Sequence, residues 1–197
     1  VAPGVHRHAN DIDTRPAVSA DGAKKLLAGA GYPDGFEFTL DCPNNRYVND
    51  EEICQALVGM WARAGIKARL NAMPFSTFIP KIQKHDTSAY MLGWGVATFD
   101  ALYTLQSLVR TKTTGADGNF NLGRVSDPKL DAVIDAIKTE TDVKKRDAML
   151  REGLIATRDQ AYYIPLHHQM RPWAMKRSVT TVHRADDRPE ARFARID

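Results

Sequence analysis

Cysteine is scarce in this sequence: two residues among 197, Cys42 and Cys54. Two thiols cannot build a disulfide framework, nor by themselves a zinc site. Long apolar runs are missing as well, and no stretch approaches the ~18 uninterrupted apolar residues of a membrane-spanning helix. Charge of one sign is also lacking. Twenty-seven Lys and Arg are met by 24 Asp and Glu, a formal net charge of +3, and the signs alternate instead of forming a basic stripe, which removes nucleic acid as a partner. The arginine-rich tail (Arg177, Arg184, Arg188, Arg192, Arg195) is offset by Asp186, Asp187, Glu190 and Asp197 and reads as solvated surface. Catalytic signatures are absent too: no Gly-x-Ser-x-Gly elbow, Walker loop, Gly-x-Gly-x-x-Gly or His-Glu-x-x-His. No enzyme chemistry and no cofactor are therefore expected. A thiol nucleophile assembled from a cysteine and one of six histidines rests only on scattered residues. No metal site is expected: the adjacent His167 and His168 would point to opposite faces of a strand, and His6-x-His8 supplies two ligands in an irregular segment.

What is present is enough for a core. With 43% hydrophobic and 26% charged residues, one globular domain is the default. The chain opens Val1-Ala2-Pro3, without a Met or a signal segment, and this reads as a processed or engineered boundary. Residues 1–20 carry Pro3, Gly4 and Pro16 and no periodicity, an irregular lead-in. Asp21 then reads as the cap of a helix with Ala23, Leu26, Leu27 and Ala30 on one face, stopped by Gly31 and Pro33. Phe36, Phe38 and Leu40 alternate with Glu37, Thr39 and Asp41, a strand buried on one face. Asn49 and Glu52 are spaced as a capping box, and behind them Ile53, Leu57, Met60, Trp61 and Ala64 line a helix ended by Gly65. Ile66 to Ala72 alternate again as a second strand. Helix, strand, helix, strand implies a parallel pair joined by a right-handed crossover.

Further along, a short helix is predicted over Phe75–Lys84 and a third strand over Ser88–Trp94. Residues 100–110 resume helical spacing. Thr111–Arg124 is a polar, glycine-rich loop of a length usually functional or mobile. Asp127-Pro128 opens one helix, and another runs from about Asp142 to Gln160. Tyr162–Leu166 and Trp173–Val179 read as strands flanking a polar corner at His167, His168, Gln169 and Arg171. The fold class is α/β with a mixed sheet flanked by helices. Cys42 ends a predicted strand and Cys54 lies in the first turns of the next helix. In a secreted protein they could pair; two buried free thiols are the alternative.

Three segments carry a resemblance. Asp21-Gly-Ala-Lys-Lys-Leu-Leu-Ala-Gly-Ala-Gly-Tyr-Pro-Asp-Gly-Phe36, Tyr90-Met-Leu-Gly-Trp94-Gly and Asn121-Leu-Gly-Arg-Val-Ser-Asp-Pro-Lys-Leu-Asp131 follow in that order. Arg146 in its helix and Tyr163-Ile-Pro-Leu166 come after at matching distances. Together they resemble the family 5 extracellular solute-binding proteins, the dipeptide, oligopeptide and nickel receptors of ABC importers. The resemblance implies a lobe of the type II periplasmic-binding-protein kind. Residues 1–20 would lead in from a missing upstream region, 21–180 would be the C-terminal ligand-binding lobe, and 181–197 a tail belonging to the other lobe. It implies a small-molecule or peptide-like ligand, the N-terminal lobe of the same protein and a membrane ABC permease as partners, and a periplasmic or lipid-anchored extracellular location. A cytoplasmic ligand sensor of the same fold is the alternative.

The same resemblance nominates site residues. Trp94, followed by Gly95, ends a strand beside the ligand, its indole a flat apolar wall. Phe75 opens a helix that either faces the cleft or is stapled to the core. Asn121 and Arg124 occupy the long loop, where an Arg suits a carboxylate. Asp100 stands either by the ligand or as a helix cap, and Gln169 lies in the polar corner. Peptide-binding relatives place an acid three residues past the Trp to meet the peptide ammonium; here Ala97 stands there, so ligands that need no free amine are expected.

Overall fold

The structure is a computed structural model that describes residues 1–170, 172–182, 184 and 189–196. Arg171 of the polar corner, and Asp186, Asp187, Arg188 and Asp197 of the charged tail, lie outside the described residues. The chain divides into two compact units: Asp13–Gly95, here the sheet unit, and Val1–Ile12 with Val96–Asp197, here the helical unit.

In the sheet unit, α1 (Ala20–Gly29) is capped by Ser19, whose Oγ accepts from the Gly22 N–H at 2.9 Å. Asp21 lies inside the first turn and is not the cap, because Ser19 already has the extended backbone a cap requires. No residue of α1 is buried. After it come β1 (Glu37–Pro43), α2 (Asp50–Arg63), β2 (Lys67–Met73), α3 (Phe75–Gln83) and β3 (Ala89–Tyr90). The strand order is β2-β1-β3, and both pairings are parallel. The expected mixed sheet is therefore two separate things: this parallel sheet, and an antiparallel pair elsewhere. Gly35 precedes β1 with φ +75°, and a Cβ there would lie 1.9 Å from the Gly65 carbonyl oxygen. Only glycine lets the strand start beside the turn that ends α2.

Crossovers that leave β1 toward one edge and return to the other, each right-handed, put α2 and α3 on opposite faces. The alternation of β1 agrees. Phe38 packs on Trp61 of α2, with ring centroids 5.3 Å apart, and Cys42 is disulfide-bonded to Cys54 of α2. The intervening Asp41 points the other way and bonds Lys81 of α3 at 2.9 Å and Asn71 of β2 at 2.7 Å. Asp41 is fully buried, so β1 is not the half-exposed strand its polar alternation suggested; a cation and an amide take the place of water. On α2 the inward face is Ile53, Cys54, Leu57 and Trp61, whereas Met60 is exposed.

In the helical unit, α4 (Ala101–Thr104) continues into a π-helical turn, Leu105–Val109, and is followed by α5 (Pro128–Ile137) and α6 (Val143–Asp159). Asp127 and Asp142 cap the last two as expected. Ala101, Leu105, Val109, Leu130, Ile134, Ile137 and Leu150 form one buried cluster. The segment 1–12 is fastened to this unit: His6 N–H donates to the Phe99 carbonyl at 2.8 Å, and Asp147 meets both His6 and Arg7. The predicted strand at Tyr162–Leu166 does not form, and of the one predicted at Trp173–Val179 the last residue alone is in a strand. Tyr162 and Tyr163 instead pack against the helical cluster, and their hydroxyls donate to Asp127 at 3.0 Å and to the Leu108 carbonyl at 2.6 Å. The strand that holds Val179, β4 (Val179–Thr180), pairs antiparallel with β5 (Arg195–Ile196).

Candidate functional site

In an open parallel sheet, ligands sit outside the carboxyl ends of the strands, where the order reverses. Here β1 is central, with β2 on one side and β3 on the other, so the reversal lies past Pro43 and Tyr90. Two segments leave the sheet at that edge: Asn44–Asn49 after β1, and Met91–Gly95 after β3. Tyr47 joins them, its hydroxyl donating to the Gly93 carbonyl at 3.4 Å. The ring lies over Gly93 so closely that a Cβ there would be 2.5 Å from Tyr47 Cε1. A Cβ at Gly93 would force the Tyr47 ring to move, and Trp94 follows it directly.

From the other side, Phe75 opens α3 at the end of β2. Its backbone N–H donates to Asn45 Oδ1 at 2.8 Å. Its ring stacks on buried Phe78, with centroids 6.2 Å apart, and meets Tyr47 edge-on at 6.4 Å. Phe75 therefore both anchors α3 and presents a half-buried face at this edge. The Arg46 guanidinium lies 5.3 Å from the Tyr47 ring centroid and 5.3 Å from that of Phe75. Arg46 is exposed, and among the described residues it makes no ion pair. A cation held over two aromatic rings with its fork uncommitted is suited to a carboxylate.

The segment carrying Arg46 is fastened at several points. Asn44 N–H donates to the Met73 carbonyl at 3.0 Å. Asp50 Oδ2 accepts from the N–H groups of Arg46 at 2.9 Å and Tyr47 at 3.0 Å, and its Oδ1 from Glu51 N–H at 3.0 Å. The Cys42–Cys54 disulfide brackets the whole segment. Asn49 is in the left-handed region at φ 55° and makes no side-chain cap, so the predicted capping box does not form; Asp50 satisfies N–H groups there instead.

The sequence-nominated residues divide between the two units. Trp94, Gly95 and Phe75 belong to the sheet unit, whereas Asp100, Asn121, Arg124 and Gln169 belong to the helical unit. Asp100 is the N-cap of α4, accepting from Leu102 N–H at 2.9 Å, and is gripped by both guanidinium arms of Arg146 at 2.8 and 3.0 Å. Burial works to raise its carboxyl; Arg146 and the Leu102 N–H outweigh that and hold it below the ordinary range. Asn121 is buried, and its amide is taken up by backbone: Nδ2 donates to the carbonyls of Arg110 at 3.1 Å and Val125 at 2.8 Å, and Oδ1 accepts from Val125 N–H at 2.8 Å. Gly118 and Phe120 N–H groups donate to the carbonyls of Gln106 and Ser107. The loop at 111–124 thus closes the end of the π-helical turn, satisfying carbonyls that the helix leaves over. Arg124 is exposed with φ 55°, and Gln169 is half-buried in an irregular stretch.

Asn45, Arg46, Tyr47 and Asp50 were not singled out from the sequence. Their signal was position: a polar run, Asn44-Asn45-Arg46-Tyr47, at the carboxyl end of the strand that parallel pairing makes central.

A family model, bacterial extracellular solute-binding proteins, family 5 Middle, matches residues 1–116. The chain belongs to that family. Heme-binding protein A of Haemophilus influenzae is 23% identical over 171 residues, covering 85% of this chain and 30% of that protein. Among solved structures, HbpA2 from Haemophilus parasuis superposes with a TM-score of 0.77 at 20% identity, over 98% of this chain and 38% of that one. A dipeptide-binding protein from Pseudoalteromonas sp. SM9913 in complex with Met-Leu gives 0.79 at 21% identity, over 92% and 36%. The fold is therefore that of the family's structures, as the sequence resemblance implied. This family 5 chain spans about a third of the length of the relatives it matches.

Proposed function

We propose that this chain is a ligand-binding lobe, residues 21–180 with a tail at 181–197, of the substrate-binding component of an ABC importer, and that its sheet-edge site takes the carboxylate of a peptide-like or other small organic acid for delivery to the permease. The observation that carries the acid is Arg46, poised over Tyr47 and Phe75 with no carboxylate partner among the described residues. Its guanidinium supplies the paired donors a carboxylate accepts from. Tyr47, Phe75 and Trp94 give an aromatic shelf for the rest of the ligand. The names of the relatives, one for heme and one for dipeptides, differ in ligand, so the choice of chemistry rests on the site. Ala97 offers no carboxylate to an ammonium, and a buried unpaired ammonium is costly; the ligand therefore needs no free amine. A disulfide between buried cysteines fits a place outside the cytoplasmic membrane.

The test is a matched series of Ala-Phe, N-acetyl-Ala-Phe and N-acetyl-Ala-Phe amide, measured by calorimetry on the chain and on its full-length parent. The two acids are expected to bind alike and the amide to lose affinity. Arg46→Ala should weaken acid binding by about 1.5–3 kcal/mol, the range for hydrogen bonds to a charged group. Equal binding of acid and amide, unaffected by Arg46→Ala, would refute the assignment.

A further inference from the structure

Asp50 has the position of a helix residue and the bonding of a loop clamp. It is the first residue of α2 and is 4% exposed. A capping carboxylate serves the N–H groups ahead of it in its own helix. Asp50 serves one of those, Glu51, while its Oδ2 turns back to the N–H groups of Arg46 and Tyr47, four and three residues earlier. Those are the two residues whose side chains form the cationic and aromatic parts of the sheet-edge site. A carboxylate accepting from several N–H groups binds them more strongly than a neutral acceptor would.

We infer that Asp50 is the positioning residue of the ligand face: by fixing the Arg46 and Tyr47 backbone it sets the guanidinium over two rings and the phenol on Gly93. The ligand half of this inference rests on the carboxylate reading of Arg46. Ring contacts cannot do the positioning alone. For an exposed arginine they are of the same size as the rotamer freedom they restrict, and Asn44–Asn49 has no helix or strand to hold it. With Asp50 in place, Arg46 projects from a fixed backbone, and less order has to be imposed when a ligand binds.

Asp50→Asn keeps the size of the side chain and replaces one acceptor oxygen by an amino group. Asp50→Ser, which leaves a single acceptor, serves if the Asn variant does not fold. Hydrogen exchange at single-amide resolution on the 197-residue chain, with no ligand added, is expected to show Arg46 and Tyr47 amides exchanging at least tenfold faster, with α5 and α6 unchanged. With N-acetyl-Ala-Phe as probe, affinity should fall about tenfold, and the loss should shrink several-fold in an Arg46→Ala background because Asp50 acts largely through Arg46. Protected amides in the variant overturn the inference whatever the probe does. Losses that simply add in the double variant overturn it as well, since they would mean Asp50 acts elsewhere. Faster amides combined with a probe that the unaltered chain does not bind would sink the carboxylate reading and leave the clamp standing.

Discussion

In the helical unit, seven buried apolar residues from α4, its π-helical turn, α5 and α6 meet in one cluster. In the sheet unit, the central strand is fastened by a disulfide on one face and by the buried Asp41–Lys81 pair on the other. The apolar cluster is non-directional and tolerates rearrangement as long as volume is kept. The fastenings are directional and hold particular atoms in particular places. They lie along β1 just before the Arg46 segment, so directional fastenings hold the strand that leads into the candidate ligand group. The ionic contacts of the helical unit do something different. Arg110 with Asp131 and Asp135, and Lys138 with Asp117 and Asp135, fasten the two ends of the loop at 111–124 to α5.

The largest expected effect separates the two kinds of stabilisation. Leu150→Ala, at a fully buried position, should destabilise the helical unit by about 2–5 kcal/mol, read by denaturant unfolding, while the Arg46 and Tyr47 amides keep their exchange protection. Loss of that protection would show that the two units do not stand separately. Next comes the paired change Cys42→Ser with Cys54→Ser. Opening a loop of sequence separation 12 should cost about 2–4 kcal/mol, confined to the sheet unit. A melting temperature equal to that of the unaltered chain would mean the disulfide contributes no stability.

The smallest effect is a pH dependence, because the groups are largely screened by solvent. Lys138 holds the Asp117 carboxyl, and Arg110 the Asp135 carboxyl, below the ordinary value of 3.8, and Asp100 is lowered on balance by Arg146. A lowered carboxyl contributes stability that is complete above 3.8 and lost as pH falls through the folded value. The helical unit should therefore loosen on the acid side. Lys81 is raised above its ordinary 10.5, chiefly by its bond to Asp41, so its contribution is present below 10.5 and lost as pH rises through the folded value; Lys138 is raised too. Unit-resolved hydrogen exchange across pH checks the signs, and a helical unit indifferent to acid would contradict them.

Much of this was legible in the sequence where the signal is local. Asp127-Pro128 and Asp142 announce α5 and α6 because a cap is a contact between neighbours in the chain. Alternation marked β1 and β2 as strands, and the helix between them implied their parallel pairing. The strands expected at Tyr162–Leu166 and, but for Val179, at Trp173–Val179 failed because alternation records burial and not hydrogen bonding. Tyr162 and Tyr163 are half-buried against the helical cluster. Asp50 was hidden behind Asn49, the better-looking cap, whose left-handed backbone takes it out of that role. The place of Arg46 over two rings depends on α3 starting beside the end of β1, a distance in space that spacing along the chain does not encode. Asn121 and Arg124 drew attention because a long polar loop suggests function; in the structure the Asn121 amide is taken up by backbone groups, and Arg124 is exposed.

The disulfide around the Arg46 segment has a consequence for what happens if that segment is cut. Arg46 and Tyr47 lie between the two bridged cysteines, so trypsin acting after Arg46 would open the ring without releasing either end. Asp50 would stay covalently beside Cys54, and Asn45 beside Cys42. A chain nicked there should run as one species until a reductant is added and as two afterwards. The disulfide thus makes the Arg46–Tyr47 bond a place where the chain can be cut while its two pieces stay covalently joined.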